Sequence, residues 1–132
     1  ETMTFNTDTF SQLLQQAESD ERKRTALDRR NSISDQSQRM LNALMPGTVM
    51  PIHRHTTSSE TIIVLKGSLE QLLYNDHGEL IEKHLFSPTA AECGMQIPSG
   101  QWHSINVLEP TVIFEAKDGP YAPLADDDIM RR

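Results

Sequence analysis

The sequence predicts a single domain of the all-β class, a sandwich or barrel preceded by one short helix. Three observations carry that prediction. From Gln38 onward, short apolar runs alternate with turn signals built from Pro, Gly, Asn, Asp and Ser. Before Gln38, one stretch carries an apolar stripe at helical spacing. The length of 132 residues suits one domain with its own core.

The elements follow in order. Phe10, Leu13, Leu14 and Ala17 fall at i, i+3, i+4 and i+7, the stripe of a short helix that Thr7 or Asp8 can cap. The stripe is expected to dock on the barrel or on a partner subunit. Residues 18–30 are densely charged, with Arg22-Lys23-Arg24 and Arg29-Arg30 prominent. They read as a solvated face or extended arm, or else as arginines holding an anionic group near a site. The strand runs are Leu41–Met45, Ile62–Leu65, Leu69–Tyr74, Leu80–Phe86, Met95–Ile97, His103–Leu108 and Thr111–Ala116. Pro46-Gly47, Lys66-Gly67, the hairpin-like Asn75–Gly78, Ser87-Pro88, Pro98–Gly100, Glu109-Pro110 and Asp118–Pro120 punctuate them. Asp126-Asp127-Asp128 reads as a solvated acidic tail. The expected division is residues 1–37 for helix and charged arm, 38–123 for the barrel and 124–132 for the tail.

Composition excludes several function classes. A net charge of −7 and pI near 5.1 argue against a general nucleic-acid binder, which needs a basic surface to meet phosphate. The single Cys93 forms no internal disulfide, so the fold does not depend on an oxidising compartment. No run is long enough to cross a bilayer and no signal-peptide pattern opens the chain, so no membrane partner and a cytoplasmic location are expected.

The most informative segment runs from Gly47 to Gly67. His53 and His55 are two residues apart, so on a strand they share a face. Thr56 to Ser59 reads as a turn, after which a neighbouring antiparallel strand can bring Glu60 back to the two imidazoles. Two imidazoles and a carboxylate are ligands for a divalent transition metal. Pro98-Ser99-Gly100-Gln101-Trp102-His103 supplies a further histidine from far along the chain. From this composition, five fixed positions (Gly47, His53, His55, Glu60, Gly67) coincide by chance at roughly 2 in 10⁵ over all possible starts. Among the remaining histidines, His77 is expected in an exposed turn and His84 in a structural role. Met40, Met45, Met50 and Met95 read as core filler.

Residues 47–67 match the first cupin motif, Gly-x5-His-x-His-x4-Glu-x6-Gly, at all its fixed positions, and Pro98-x-Gly100-x2-His103 matches the centre of the second. The second motif departs at both ends, with Glu92 where glycine is usual and Val107 where asparagine is usual. The chain thus resembles the cupins. That implies a double-stranded β-helical (jelly-roll) barrel and one metal held by His53, His55, Glu60 and His103 in its mouth. A closer resemblance spans roughly residues 22–123. It includes the Arg-rich lead, Asn31, Gln38–Leu44, Pro46-Gly47, His53-Arg54-His55, Trp102-His103, Leu108-Glu109-Pro110 and Phe114–Tyr121. On these the chain is similar to the WbuC-type cupin-fold metalloproteins, small bacterial proteins often encoded among O-antigen and lipopolysaccharide biosynthesis genes.

Three imidazoles and a carboxylate suit Fe(II), Mn(II), Ni(II) or Zn(II), and leave open positions on the ion. Cysteine is absent from both motifs, which favours an open site over a closed structural zinc. The open positions can polarise a carbonyl or hydroxy-ketone for sugar isomerisation or lyase-type proton abstraction. They can instead serve O₂ activation at Fe(II), or anchor a ligand, such as a sugar or sugar acid, without turnover. Because imidazoles bind metal only when neutral, binding is expected to weaken as pH falls through about 6. Proton transfer needs a non-ligand group. Glu115 and Lys117 share one face of the last strand, and alternation alone leaves open whether that face or the Phe114 face looks inward. Arg39 and Tyr121 are further candidates to contact a carboxylate or phosphate. Arg54 and Trp102 are expected to point away from the metal, opposite their histidine neighbours. A homodimer is expected, through sheet extension and the helix stripe.

Overall fold

The computed structural model describes residues 2–131. One helix, α1 (Thr7–Ser19), precedes ten strands among these residues. The strands are β1 (Arg24–Asp28), β2 (Gln38–Leu44), β3 (Ile52–His53), β4 (Glu60–Lys66), β5 (Leu69–Tyr74), β6 (Leu80–Phe86), β7 (Gly94–Ile97), β8 (Trp102–Val107), β9 (Thr111–Lys117) and β10 (Ile129–Met130). They form two five-stranded antiparallel sheets, ordered β1-β2-β9-β4-β7 and β10-β3-β8-β5-β6. This is the jelly-roll arrangement that the sequence predicts.

The inner faces of both sheets carry the core. Leu44, Ile62, Val64 and Ile113 from the first sheet meet Leu69, Phe86 and Val107 from the second. Each sits on an alternate position of its strand, as a half-buried sheet requires. A second cluster lies on the outer face of the first sheet. There Leu13 and Ala17 of α1 pack on Leu41, Ala43 and Val112, with Phe10, Leu14, Leu27 and Phe114 around them. The helix stripe therefore docks on its own barrel. Its cap is Asn6, not Thr7 or Asp8: the Asn6 side chain accepts from Thr9 N at 3.0 Å, and Thr9 Oγ1 accepts from Asn6 N at 3.2 Å. An amide side chain one residue earlier reaches the free helix N–H groups, which is what a cap needs.

Two charged segments depart from their sequence reading. The 18–30 run does not stand free: β1 within it pairs in register with β2, Arg24 opposite Leu44 and Asp28 opposite Met40. The acidic tail is likewise held. Beyond a single 3₁₀ turn at Asp126–Asp128, β10 pairs with β3, and Asp128 Oδ1 accepts from Arg54 Nε at 3.1 Å. Backbone pairing is indifferent to side-chain charge when that side chain faces solvent, so composition gave no sign of either strand. Cys93 is exposed. Among the described residues no helix is long and apolar enough to cross a membrane.

Candidate metal centre and its cavity

His53 on β3 is paired in register with His103 on β8, so two histidines from distant sequence stand side by side on one inner face. His55 lies just past the end of β3. Its carbonyl accepts from Gly100 N at 2.8 Å and Ser99 Oγ at 3.2 Å, which ties the two motif loops together. Gly100 holds a φ of +86°, a left-handed turn that glycine adopts without strain. Glu60 opens β4 in the opposite sheet. The carboxylate thus reaches the imidazoles across the gap between sheets, rather than from an adjacent strand as the turn reading suggested.

Donor atoms of His53, His55 and His103 lie within 4.8 Å of one another, a cluster that can hold one metal ion. Glu60 Oε2 is 3.2 Å from His103 Nε2 and 3.5 Å from His55 Nε2. The backbone carbonyls of Pro51 and Gln101 lie 2.9 and 2.8 Å from Nδ1 of His53 and His103. With Nδ1–H donated to a carbonyl, neutral imidazole presents its Nε2 lone pair to the cavity. In that tautomer the Nε2 lone pairs and the Glu60 carboxylate converge on one region, where a divalent cation would be met by several donors at once. The donor set therefore fits the divalent metal that the motif implies.

The electrostatics point the same way. Burial, with the neighbouring His103 and His55 rings, lowers the His53 pKa to about 4, and burial also lowers that of His55. The His53 ring therefore stays neutral well below pH 6, and His55 is shifted in the same direction, so protons compete for these two rings at lower pH than at an ordinary imidazole. Burial pushes Glu60 up, but hydrogen bonding from Glu115 and the neighbouring His103 and Lys117 side chains outweigh it and leave the carboxyl lowered. The Glu115 carboxyl is pushed up to about 8 by its own burial and by the charge on Glu60. One proton is shared between these two facing carboxylates, and Glu115 holds it.

The structure resolves the face of β9: Ile113, Glu115 and Lys117 look into the barrel, while Phe114 lies under α1. Lys117 Nζ donates to Glu115 Oε2 at 3.0 Å, and Asn42 Nδ2 donates to the same oxygen at 3.3 Å. These groups, with the three histidines, Glu60 and Met50, line a cavity of about 250 Å³. Leu44, Ile62 and Ile113 belong to both core and cavity wall, so the core forms its floor.

The other two candidates lie elsewhere. Arg39 does not line this cavity; its guanidinium donates to Asp35 Oδ2 at 2.9 Å and to the Ser37 carbonyl at 3.2 Å. Tyr121 is 59% exposed and lines a neighbouring cavity that shares His55, Lys117 and Leu124 with the first. Its ring faces the Arg30 guanidinium at 5.7 Å. Arg54 points outward as expected and stacks over Trp102 at 4.5 Å. Trp102 Nε1 donates to Asp76 Oδ1 at 3.1 Å. His84 sits between Glu92 and Glu82, at 3.0 and 3.1 Å, which raises its pKa. His77 is exposed in its turn.

Two polar cavity residues, Asn42 and Gln71, were missed from the sequence, in which Arg24 is only one of a run of arginines that could hold an anionic group near a site. Asn42 is polar in the middle of an otherwise apolar run, and that exception was the available signal. Arg24 faces the cavity only because β1 pairs with β2, opposite the inward Leu44. Nothing local announces it.

Comparison with known proteins agrees with the fold. An oxalate oxidase solved in complex with glycolate matches with a TM-score of 0.62 at 14% identity, over 81% of this chain and 56% of that one. KdgF from Halomonas sp. matches at 0.61 and 17%, over 79% and 85% respectively. CapF with the inhibitor 3-isopropenyl-tropolone matches at 0.65 and 23%, over 79% and 30%. The chain spans little more than half of the oxalate oxidase chain it matches. These similarities establish the cupin fold. No curated protein sequence matches the chain significantly. A family model described as a domain of unknown function (DUF6016) matches residues 5–86, more than half of the chain, and covers α1, β1 and the first motif. The chain has a cupin-like fold, and by sequence it belongs to the family described as a domain of unknown function, DUF6016.

Proposed function

We propose that this protein is a WbuC-type metal cupin that holds one divalent transition metal through His53, His55, Glu60 and His103. We propose further that it acts on a small carbohydrate-related ligand by sugar isomerase or lyase chemistry, in cell-surface polysaccharide metabolism. The observation that carries the reading is the convergence of three imidazoles on Glu60, with a proton-holding Glu115 beside them in one cavity. When bound, the metal supplies Lewis acidity toward a carbonyl or hydroxyl oxygen. The chain's own residues do the rest. The Pro51 and Gln101 carbonyls fix two imidazole rings. Glu115 holds a proton at the cavity wall and can exchange it with a ligand carbon or oxygen. Lys117 and Asn42 stabilise the Glu115 carboxylate when that proton leaves. Glycolate in the similar oxalate oxidase is a small hydroxy acid, the kind of ligand we assign here.

The test has two stages. Elemental analysis of protein purified without added metal or chelator is expected to find about one equivalent of metal, lost in His53→Ala. Metal-loaded protein is then incubated with hydroxy-ketones and sugar acids in D₂O, with NMR detection of carbon-bound deuterium. Incorporation that Glu115→Gln abolishes supports the reaction. No metal in either protein would overturn the site. Metal with ligand binding but no exchange would move the reading to a non-catalytic binding cupin. One equivalent of iron with O₂-dependent turnover would move it to a dioxygenase. The homodimer stays in the proposal through sheet extension alone, and a monomeric mass in light scattering would remove it.

A further inference from the structure

The Glu60, Glu115 and Lys117 charges are matched within the cavity, but one cavity charge is not. Arg24 enters from β1, the strand that pairs against β2 outside the motif segments, and its side chain lines the same cavity as the histidines and Glu115. The other arginines of its segment are engaged: Arg22 contacts Asp20 at 3.6 Å, Arg29 donates to the Asp28 carbonyl, and Arg30 forms a fork with Asp28. Among the described residues Arg24 makes no hydrogen bond or ion pair through its guanidinium. It is half-buried, and its pKa is lowered by that burial and by Arg22, against the weaker opposing pull of Asp20 and Glu115. A partly desolvated, unpaired guanidinium is costly unless it serves a ligand.

We propose that Arg24 is the ligand's anion anchor, and that the cavity takes a small hydroxylated monocarboxylate of sugar-acid size, its carboxylate on Arg24 and its hydroxyl end toward the histidine cluster. This rests on the metal-site reading above and names the substrate class for it. The charge balance supports it. Glu60, Glu115 with its proton and Lys117 together carry no net charge, so a divalent ion beside them leaves the cavity positive at that end as well. A planar guanidinium fork matches a carboxylate. A phosphate dianion fits worse, because a single guanidinium meets only one of its two charges. A volume of about 250 Å³ admits a six-carbon acid and falls below the usual range for drug-sized ligands, about 300 Å³ and up.

The test uses cobalt(II)-loaded protein and its visible spectrum, with calorimetric titration of matched pairs: D-galacturonate against D-galactose, and D-gluconate against D-glucitol. Galactose 6-phosphate is a further arm. The acids are expected to bind at least tenfold more tightly than their neutral counterparts. Arg24→Gln is expected to remove that preference while keeping cobalt stoichiometry and spectrum, which also shows that the variant is folded. Equal binding of acid and neutral members, no binding by any, tighter binding of the sugar phosphate, or an unchanged acid preference in Arg24→Gln would each overturn the assignment. Failure of wild-type protein to take up cobalt is a different result: it sinks the metal reading, and this inference with it.

Discussion

The protonation of His53 gives a stability prediction that can be worked through. In the metal-free protein the perturbation is acidification from pH 7 to pH 4.5. An unfolded chain gives histidine a pKa of 6.5, whereas burial among other imidazoles lowers that of His53 to about 4. The unfolded state therefore binds the proton first. Stability from the neutral ring is full above pH 6.5 and is lost as pH falls toward 4. The gap of roughly 2.5 units corresponds to about 3 kcal/mol, most of it realised by pH 4.5. His53 is only 8% exposed, so solvent screening takes little from this figure. In urea, at an m-value of roughly 1–3 kcal/mol/M, the midpoint should drop by between about 1 and 3 M. Carboxylates such as Glu60 lose stability over the same range, so the assay compares chelator-treated wild type with His53→Gln. The wild type should lose about 2.4 kcal/mol more than the variant between the two pH values. An equal loss in both proteins would refute the account of His53 as a ring kept neutral by its surroundings.

Two further predictions concern the scaffold. Gly67 and Gly100 have nearly the same φ, +85° and +86°, but a Cβ at Gly67 would lie 2.3 Å from the Pro110 carbonyl oxygen, whereas Gly100 has open space. Gly100→Ala should cost about 1 kcal/mol and Gly67→Ala upward of about 3, read as thermal midpoints; equal costs would mean that φ alone governs both turns. Leu41 is 1% exposed beneath α1 and faces away from the cavity, so Leu41→Ala should cost roughly 2–5 kcal/mol in chemical denaturation and leave metal content unchanged. Loss of metal in that variant would show that the helix face and the cavity are coupled.

The sequence alone located seven of the strands, the turns between them and the candidate metal-binding residues. His53, His55, Glu60 and His103 were legible because each lies at a fixed spacing within a segment whose turn glycines and prolines are read locally. What the sequence did not determine was set by partners distant along the chain. A period of two says that Glu115 and Lys117 share a face, never which face. That was decided when α1 covered Phe114 and left the opposite side to the cavity. Strands β1 and β10 were invisible because each exists through pairing, with β2 and β3 respectively, and charged residues mark neither as a strand. Which arginine of the charged run enters the cavity was hidden for the same reason: the direction of Arg24 is inherited from Leu44 across the ladder. Glu60 was assigned correctly as a neighbour of the imidazoles but by the wrong route, because only the closure of one sheet over the other brings it there. Local chemistry wrote the ligands into the sequence, and sheet-on-sheet packing decided what stands around them.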